Sequence, residues 1–333
     1  MKAPFPYFGG KSRAAALVWA ALGDVASYVE PFCGSASVLL ARPERHRGRV
    51  ETINDANRFV ANFWRAVAAD PEAVAAAADW PVNEADLHAR HRWLMYGDGS
   101  DEWRARMHAE PDFYDAKRAG WWVWGHSAWI GSGWCDESRV NGGNVQQLPH
   151  LGDPGRGVHA PGLSAKLPHL GNPGMGVHAV MAALSARLRR VRVACGDWAR
   201  VLGDSAIHAH APGNAIAGVF LDPPYAAEDQ QGAALYGCGD ASVSGAVREW
   251  AVARGDDPTL RIVLCGYAGE HDLPAGWTAV PWKAAGGYAS QRTIAARGVD
   301  NSTRERLWLS PHCLRADSHA RQTSLFEAAG GGA

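Results

Sequence analysis

The chain has 333 residues, 47% of them hydrophobic and 20% charged, which is ordinary for a folded protein and long enough for two lobes or one large α/β domain with an insertion. Its 33 Lys and Arg balance 34 Asp and Glu to a formal charge of −1, so a globally basic polyanion binder is excluded and any nucleic-acid contact falls to local patches. No apolar stretch reaches the roughly 20 residues of a membrane span.

Six cysteines (Cys33, Cys135, Cys195, Cys238, Cys265 and Cys313) are scattered without a C-x-x-C pair. This favours reduced, structural thiols in a cytoplasmic compartment over disulfides or zinc. Residues 14–22, behind Lys11 and Arg13, imitate a signal peptide only faintly and have no convincing cleavage site.

In chain order, residues 12–22 are Ala-rich and read as a helix, with Ser12 a natural N-cap behind the Gly9-Gly10 turn. Residues 27–32 read as a strand, 36–40 as the start of a helix and 50–53 as a second strand. Phe59, Val60, Phe63, Trp64 and Val67 then fall at helical spacing. This alternation is the βαβ pattern of a parallel sheet.

From about residue 65 to 120 the chain reads as polar helices, followed by Trp121, Trp122, Trp124, Trp129 and Trp134. Next comes a Gly/Pro/His stretch in which Leu148-Pro149-His150-Leu151-Gly152 recurs as Leu167-Pro168-His169-Leu170-Gly171. Two copies are too few for a solenoid and read as an extended loop. Its histidines lack Cys or paired carboxylates at metal-ligand spacing, so no metal is expected. Helical periodicity resumes at 179–188, with strands expected at 191–194, 216–221 and 260–265. The expected organisation is a discontinuous catalytic domain (1–64 and 180–315), an inserted, mainly helical and loop lobe (65–179) and a flexible tail (316–333).

Asp222-Pro223-Pro224-Tyr225 follows the apolar run 216–221. The prolines fix φ near −65° and remove two donors, so this turn offers a carboxylate, a bare carbonyl and a flat ring. That set suits a planar amine; its plain alternative is an ordinary loop. Glu30-Pro31-Phe32-Cys33-Gly34-Ser35 lies at a strand-to-helix turn where small residues let a ligand approach the backbone. Asp55 closes the next strand where α/β nucleotide folds place an acid against ribose; alternatively it caps the following helix. Tyr7-Phe8-Gly9-Gly10-Lys11 combines rings, a turn and a cation. Asp197-Trp198 adds an acid and a ring at the end of a further strand. Ligands of open α/β sheets bind at the carboxyl ends of the strands, where these segments converge.

Taken as an ordered set, Phe8-Gly9-Gly10-Lys11, Glu30-Pro31-Phe32-x-Gly34, Asp55 and Asp222-Pro223-Pro224-Tyr225 resemble the D12 class (Dam-like) DNA adenine-N6 methyltransferases. The resemblance implies a Rossmann-like S-adenosylmethionine-dependent methyltransferase sheet with an inserted recognition lobe, acting on double-stranded DNA in a bacterial or phage-encoded setting. By that resemblance Tyr7 and Lys11 help hold S-adenosylmethionine, Phe32 and Gly34 line its pocket, Asp55 bonds its ribose and Asp197 lies near its adenine. Asp222 and the Pro223 carbonyl would accept the target amine's hydrogens while Tyr225 stacks on a flipped base. Ala36 stands where the family often has a second glycine, which puts detail of that turn in question.

Ala284-Ala285-Gly286-Gly287-Tyr288 and Arg304-Glu305-Arg306-Leu307-Trp308-Leu309 loosely resemble the family's terminal hairpin. Arg187, Arg189, Arg190 and Arg192 form one candidate basic patch, and Lys283, Arg292, Arg297, Arg304, Arg306, Arg315 and Arg321 another. The tryptophans fit either a core or a base-stacking surface. Gln322-Thr323-Ser324-Leu325-Phe326 resembles the pentapeptide that docks on bacterial sliding clamps. The competing functions are cytosine-N4 (or other planar amine) methylation, and a catalytically silent DNA-binding or clamp-docked accessory protein.

Overall fold

A computed structural model describes residues 1–5, 7, 10–44, 50–129, 134–135, 176–208, 215–225, 241–282 and 304–315. Phe8, Gly9, both copies of the Gly/Pro/His repeat, the 284–288 segment and the 322–326 pentapeptide lie outside the described residues.

A seven-stranded sheet organises the molecule, in the order β3-β2-β1-β4-β5-β7-β6. The strands are β1 (Ser27–Glu30), β2 (Val50–Asp55), β3 (Val191–Cys195), β4 (Ala217–Leu221), β5 (Leu260–Tyr267), β6 (Thr278–Pro281) and β7 (Glu305–Leu309). β3, β2, β1, β4 and β5 are mutually parallel, and β7 runs antiparallel between β5 and β6. Strand order reverses between β1 and β4, which opens a crevice at their carboxyl ends. Register aligns Val29 with Val219, so the turns after β1 and β4 leave the sheet at the same level.

β1 and β4 are buried along their whole length and β5 along most of it, and β4 is an unbroken apolar run, as burial on both faces requires. Alternate residues divide between two layers. Phe220 and Val263 face a layer built from α1 (Ala15–Leu22), α3 (Arg58–Ala69), α4 (Pro71–Ala78), α7 (Ala116–Ala128) and α8 (Val177–Leu188). Val219, Leu221, Ile262 and Leu264 face the other, which includes α10 (Ala241–Arg254). The short α2 (Ser37–Leu40), α5 (Glu84–Tyr96), α6 (Ser100–Ala109) and α9 (Asp204–Ile207) complete the α-helices among the described residues.

The tryptophan run belongs to the first layer. Trp122 and Trp124 are buried, Phe5 meets Trp122 edge-on at 4.9 Å, and the Trp134 indole donates to the Trp122 carbonyl at 2.9 Å. A β-carbon on Gly125 would fall 1.9 Å from the Trp134 ring, so only glycine admits that packing. These rings form core; Trp121 alone of the five is half-buried. Helices from the 65–179 region therefore share one continuous core with the sheet. No helix among the described residues is long and apolar enough to cross a membrane.

Two local expectations are corrected, for Ser12 and Arg187, and the alternative reading of Asp55 is set aside. Helix α1 begins at Ala15, and Ser12 lies in a preceding turn closed by the Ala14 and Ala15 amides on the Lys11 carbonyl. Asp55 does not cap α3: Asn57 is the cap, its side chain accepting from the Phe59 amide. Arg187 is no part of a basic surface. It forms two bonds with the buried Glu51 carboxylate (2.6 and 2.8 Å) and one with the Leu39 carbonyl, because a guanidinium on α8 reaches the flank of β2.

Candidate active site

The turn after β1 is the first wall. Gly34 has φ +45°, and a β-carbon there would lie 2.5 Å from the Tyr7 ring, so glycine lets Tyr7 lie flat on the turn. The Trp64 indole donates to the Gly34 carbonyl at 2.9 Å and fixes the turn from α3. Ala36 adopts φ 49°, ψ 33°, the left-handed conformation that glycine fills without strain. An L-residue there costs roughly 1–2 kcal/mol, so the alanine is carried at a penalty and the turn keeps its shape. Ser35 and Pro31 are buried behind it, and Gly10 is exposed.

β2 supplies the next wall. The Asp55 carboxylate accepts from the Gly34 amide at 2.9 Å and the Asn57 amide at 2.8 Å. Burial nevertheless pushes its pKa up to about 6, with those two amides opposing the rise. Asn54, absent from the expected set, ties three strand ends together by donating to the Pro31 carbonyl (2.9 Å) and the Gly196 carbonyl (3.0 Å). After β3, Asp197 is exposed and caps a short 3₁₀ turn through the Ala199 amide. Trp198 stacks on Phe32 at 6.2 Å and 29°.

Glu30 turns inward. Its carboxylate accepts from the Tyr28 hydroxyl and the Leu39 amide, and burial raises its pKa to about 8. A carboxylate enclosed this way braces the β1 turn from beneath.

The turn after β4 supplies the last wall. Lys11, itself buried, places Nζ 2.9 Å from Asp222 Oδ1 and 5.0 Å from the Tyr225 ring centre. The Tyr225 hydroxyl donates to Glu305 Oε2 at 2.8 Å and lies 3.3 Å from Asp222 Oδ1. Tyr267 presents its ring edge-on to Tyr225 at 4.7 Å. Burial raises the Asp222 pKa, while Lys11, Tyr225 and Cys265 pull it back. The ammonium thus offsets the tendency of a desolvated carboxylate to take up a proton. Pro223 is buried, whereas Asp222, Pro224 and Tyr225 are partly exposed to the cleft.

Sequence reasoning brought Lys11, the 30–35 turn, Asp55 and the 222–225 turn to one edge, and the structure places their described residues there. It did not single out Glu305, Tyr267 or Trp282, whose ring lies 5.8 Å from Lys11 Nζ. The one available signal was the loose likeness of residues 304–309 to a terminal hairpin.

A mixed α/β sheet of this order, with its crevice between β1 and β4, defines a Rossmann-like methyltransferase fold. Residues 7–96 match the model of the D12 class N6 adenine-specific DNA methyltransferase family. That match supports an enzyme that methylates adenine at N6 in DNA. The match takes in Lys11, Gly34 and Asp55, while Asp222 to Tyr225 lie beyond it at the same sheet edge. A comparison with curated proteins finds no match.

Proposed function

We propose that the chain methylates the exocyclic amine of an adenine drawn out of duplex DNA, with S-adenosylmethionine held at the carboxyl ends of β1, β2 and β3. One observation supports this above the others: Lys11, Asp222 and Tyr225 are assembled in contact, beside the turn that Gly34 and Asp55 form. The chemistry of the residues also fits the cofactor. Asp55 presents an acceptor for ribose hydroxyls, Asn54 Oδ1 is buried among the strand ends without a hydrogen-bond partner among the described residues, and Phe32 and Trp198 offer ring faces for a base. Tyr7 lies against the Gly34 turn, and Lys11 stands at the Asp222 turn.

Bound there, S-adenosylmethionine supplies an electrophilic methyl group on a sulfonium. The residues of the chain do the rest. Adenine's amine is a poor nucleophile because its lone pair is delocalised into the ring. Asp222, kept toward its ionised form by Lys11, accepts one N–H, and the Pro223 carbonyl accepts the other. Both bonds favour a pyramidal nitrogen with its lone pair free for the methyl; forming the N–C bond would break the S–C bond and leave a neutral thioether, and the surplus amine proton would leave by way of Asp222 to solvent. Tyr225 stacks on the extruded base and returns about 1–3 kcal/mol of the flipping cost. Most of the acceleration is then positioning and preorganised acceptors.

On this reading the 65–179 region carries target recognition. Its helices are built into the core, which leaves its remaining segments to meet DNA.

Asp55 makes the cofactor's affinity depend on pH. Ribose hydroxyls donate more strongly to the carboxylate than to the acid, and the free protein's Asp55 has a pKa of about 6. Affinity is therefore full above that value and falls as pH drops through it, by up to about tenfold per pH unit. Calorimetric titration of S-adenosylmethionine from about pH 7 down to about pH 5 checks this. Asp55→Asn should weaken binding about 10- to 100-fold and flatten the profile. A wild-type affinity that stays constant across that range refutes the assignment.

We also propose that Gln322, Leu325 and Phe326 dock on a bacterial sliding clamp. Deleting residues 321–333 should abolish retention on immobilised clamp. Equal retention by both forms disposes of that partner.

A further inference from the structure

Tyr225 is held from three sides. Its hydroxyl donates to Glu305 Oε2 at 2.8 Å, Tyr267 meets it edge-on at 74°, and Lys11 Nζ sits 5.0 Å from its ring centre. Glu305 is the first residue of β7, the antiparallel strand, where it pairs across from Tyr267 on β5. Its carboxylate is 6% exposed and lies 80 residues from Tyr225 in sequence, so the sheet itself brings the two together.

A phenol anchored at its oxygen loses rotation about the bond that would tilt the ring away from a stacked base. Within the 222–225 turn the hydroxyl's bond to Asp222 Oδ1 is longer, 3.3 Å, and Glu305 lies outside the matched residues 7–96. The geometry points to Glu305 as a positioning residue for methyl transfer: through the Tyr225 hydroxyl it sets the plane on which the target adenine stacks. This rests on the proposed role of the 222–225 turn. Glu305 touches neither reacting atom and acts on the base through the Tyr225 hydroxyl.

The same anchor couples the stacking ring to the amine acceptor. The hydroxyl that donates to Glu305 also lies 3.3 Å from Asp222 Oδ1, and the charge of Lys11 acts on both carboxylates. A ring free to tilt would disturb Asp222 as well. The expected loss therefore appears in kcat more than in KM.

The test is a double-mutant cycle on the full chain, read by single-turnover methylation of duplex DNA. Glu305→Ala is expected to lower kcat about 10- to 100-fold, the scale on which slight misplacement of a reacting group acts. KM for DNA and the affinity for S-adenosylmethionine should stay within about threefold of wild type, less than 1 kcal/mol. Glu305→Gln keeps an acceptor for the phenol and should recover most of the rate. In a Tyr225→Phe background, which keeps the ring and removes the hydroxyl, Glu305→Ala should cost almost nothing more. If the alanine variant does not fold, Glu305→Met, similar in length and unable to accept, replaces it with the same expectations. Equal losses with and without the Tyr225 hydroxyl, or a glutamine variant as slow as alanine, overturn the inference. Failure of the underlying reading looks different: the wild type would then form no N6-methyladenine, or Asp222→Asn would remain active.

Discussion

Asparagine at position 222 is expected to lower kcat for adenine methylation at least about 10²- to 10³-fold, the usual consequence of losing one preorganised electrostatic partner of a transition state. The side chain keeps its shape but trades a charged acceptor for a neutral amide. In the native turn that carboxylate is 19% exposed and paired with Lys11 at 2.9 Å, so it is desolvated yet open to the cleft. The amine gains positive character as it attacks, and a neutral acceptor stabilises that charge far less than a carboxylate does. Asparagine still offers Lys11 an oxygen, so the buried ammonium keeps a partner and the fold is retained. Asp222→Ala removes that oxygen too, and adds a stability loss to the same catalytic one.

Rapid-quench single turnover with N6-methyladenine quantified after digestion reads the chemical step. Calorimetry on the same variant reads cofactor affinity, which should stay close to wild type. Turnover within about tenfold of wild type would remove Asp222 from the mechanism.

The second large effect concerns folding and leaves the chemistry alone. Glu51→Ala should reduce the unfolding free energy by about 3–5 kcal/mol, the cost of stranding buried charge. Glu51 is 1% exposed on β2 between two arginines. Arg42 reaches Oε1 at 3.1 Å, and Arg187 bridges both oxygens. Arg42 also donates to the Val25 carbonyl and lies 5.0 Å from the Trp19 ring, while Arg187 donates to the Leu39 carbonyl. One carboxylate therefore compensates two guanidinium groups and pins α8 and the segment after α2 to the sheet. Glu51→Gln keeps acceptor capacity without charge and should fall between wild type and alanine. Urea unfolding measures the difference, and a loss below about 1 kcal/mol would mean that the pair is solvated in solution. Folded variant at low temperature should methylate DNA at a near-normal rate.

The contrast between Asp222 and Glu51 shows what one-dimensional reading can and cannot do. Asp222 announces itself through its neighbours: an apolar strand before it, two prolines and a tyrosine after it. Glu51 sits in a strand whose partners lie on two other elements, Arg187 being 136 residues away. In the sequence that arginine belonged to a basic cluster suited to DNA; in the fold it is consumed by an internal bond. Ser12 failed as a cap because the first helical turn closes on the Lys11 carbonyl, and Lys11 itself is turned to Asp222. Asp55 emerged at the expected sheet edge, yet its contacts with the Gly34 and Asn57 amides depend on where two turns happen to meet. Glu305 lay within a segment noted only for a loose likeness, since nothing near it in the chain reveals that a phenol from the β4 turn will reach it.

The amino-acid sequence by itself determined the alternation of strands and helices, the acidic proline turn, the glycine turn and their order, because these arise from backbone preferences and periodicities a few residues long. Tertiary structure alone decided which charges neutralise one another, which tryptophans become core and which carboxylate holds the Tyr225 hydroxyl. Those outcomes depend on desolvation and on contacts between residues far apart in the chain, and both come into being only when the sheet closes.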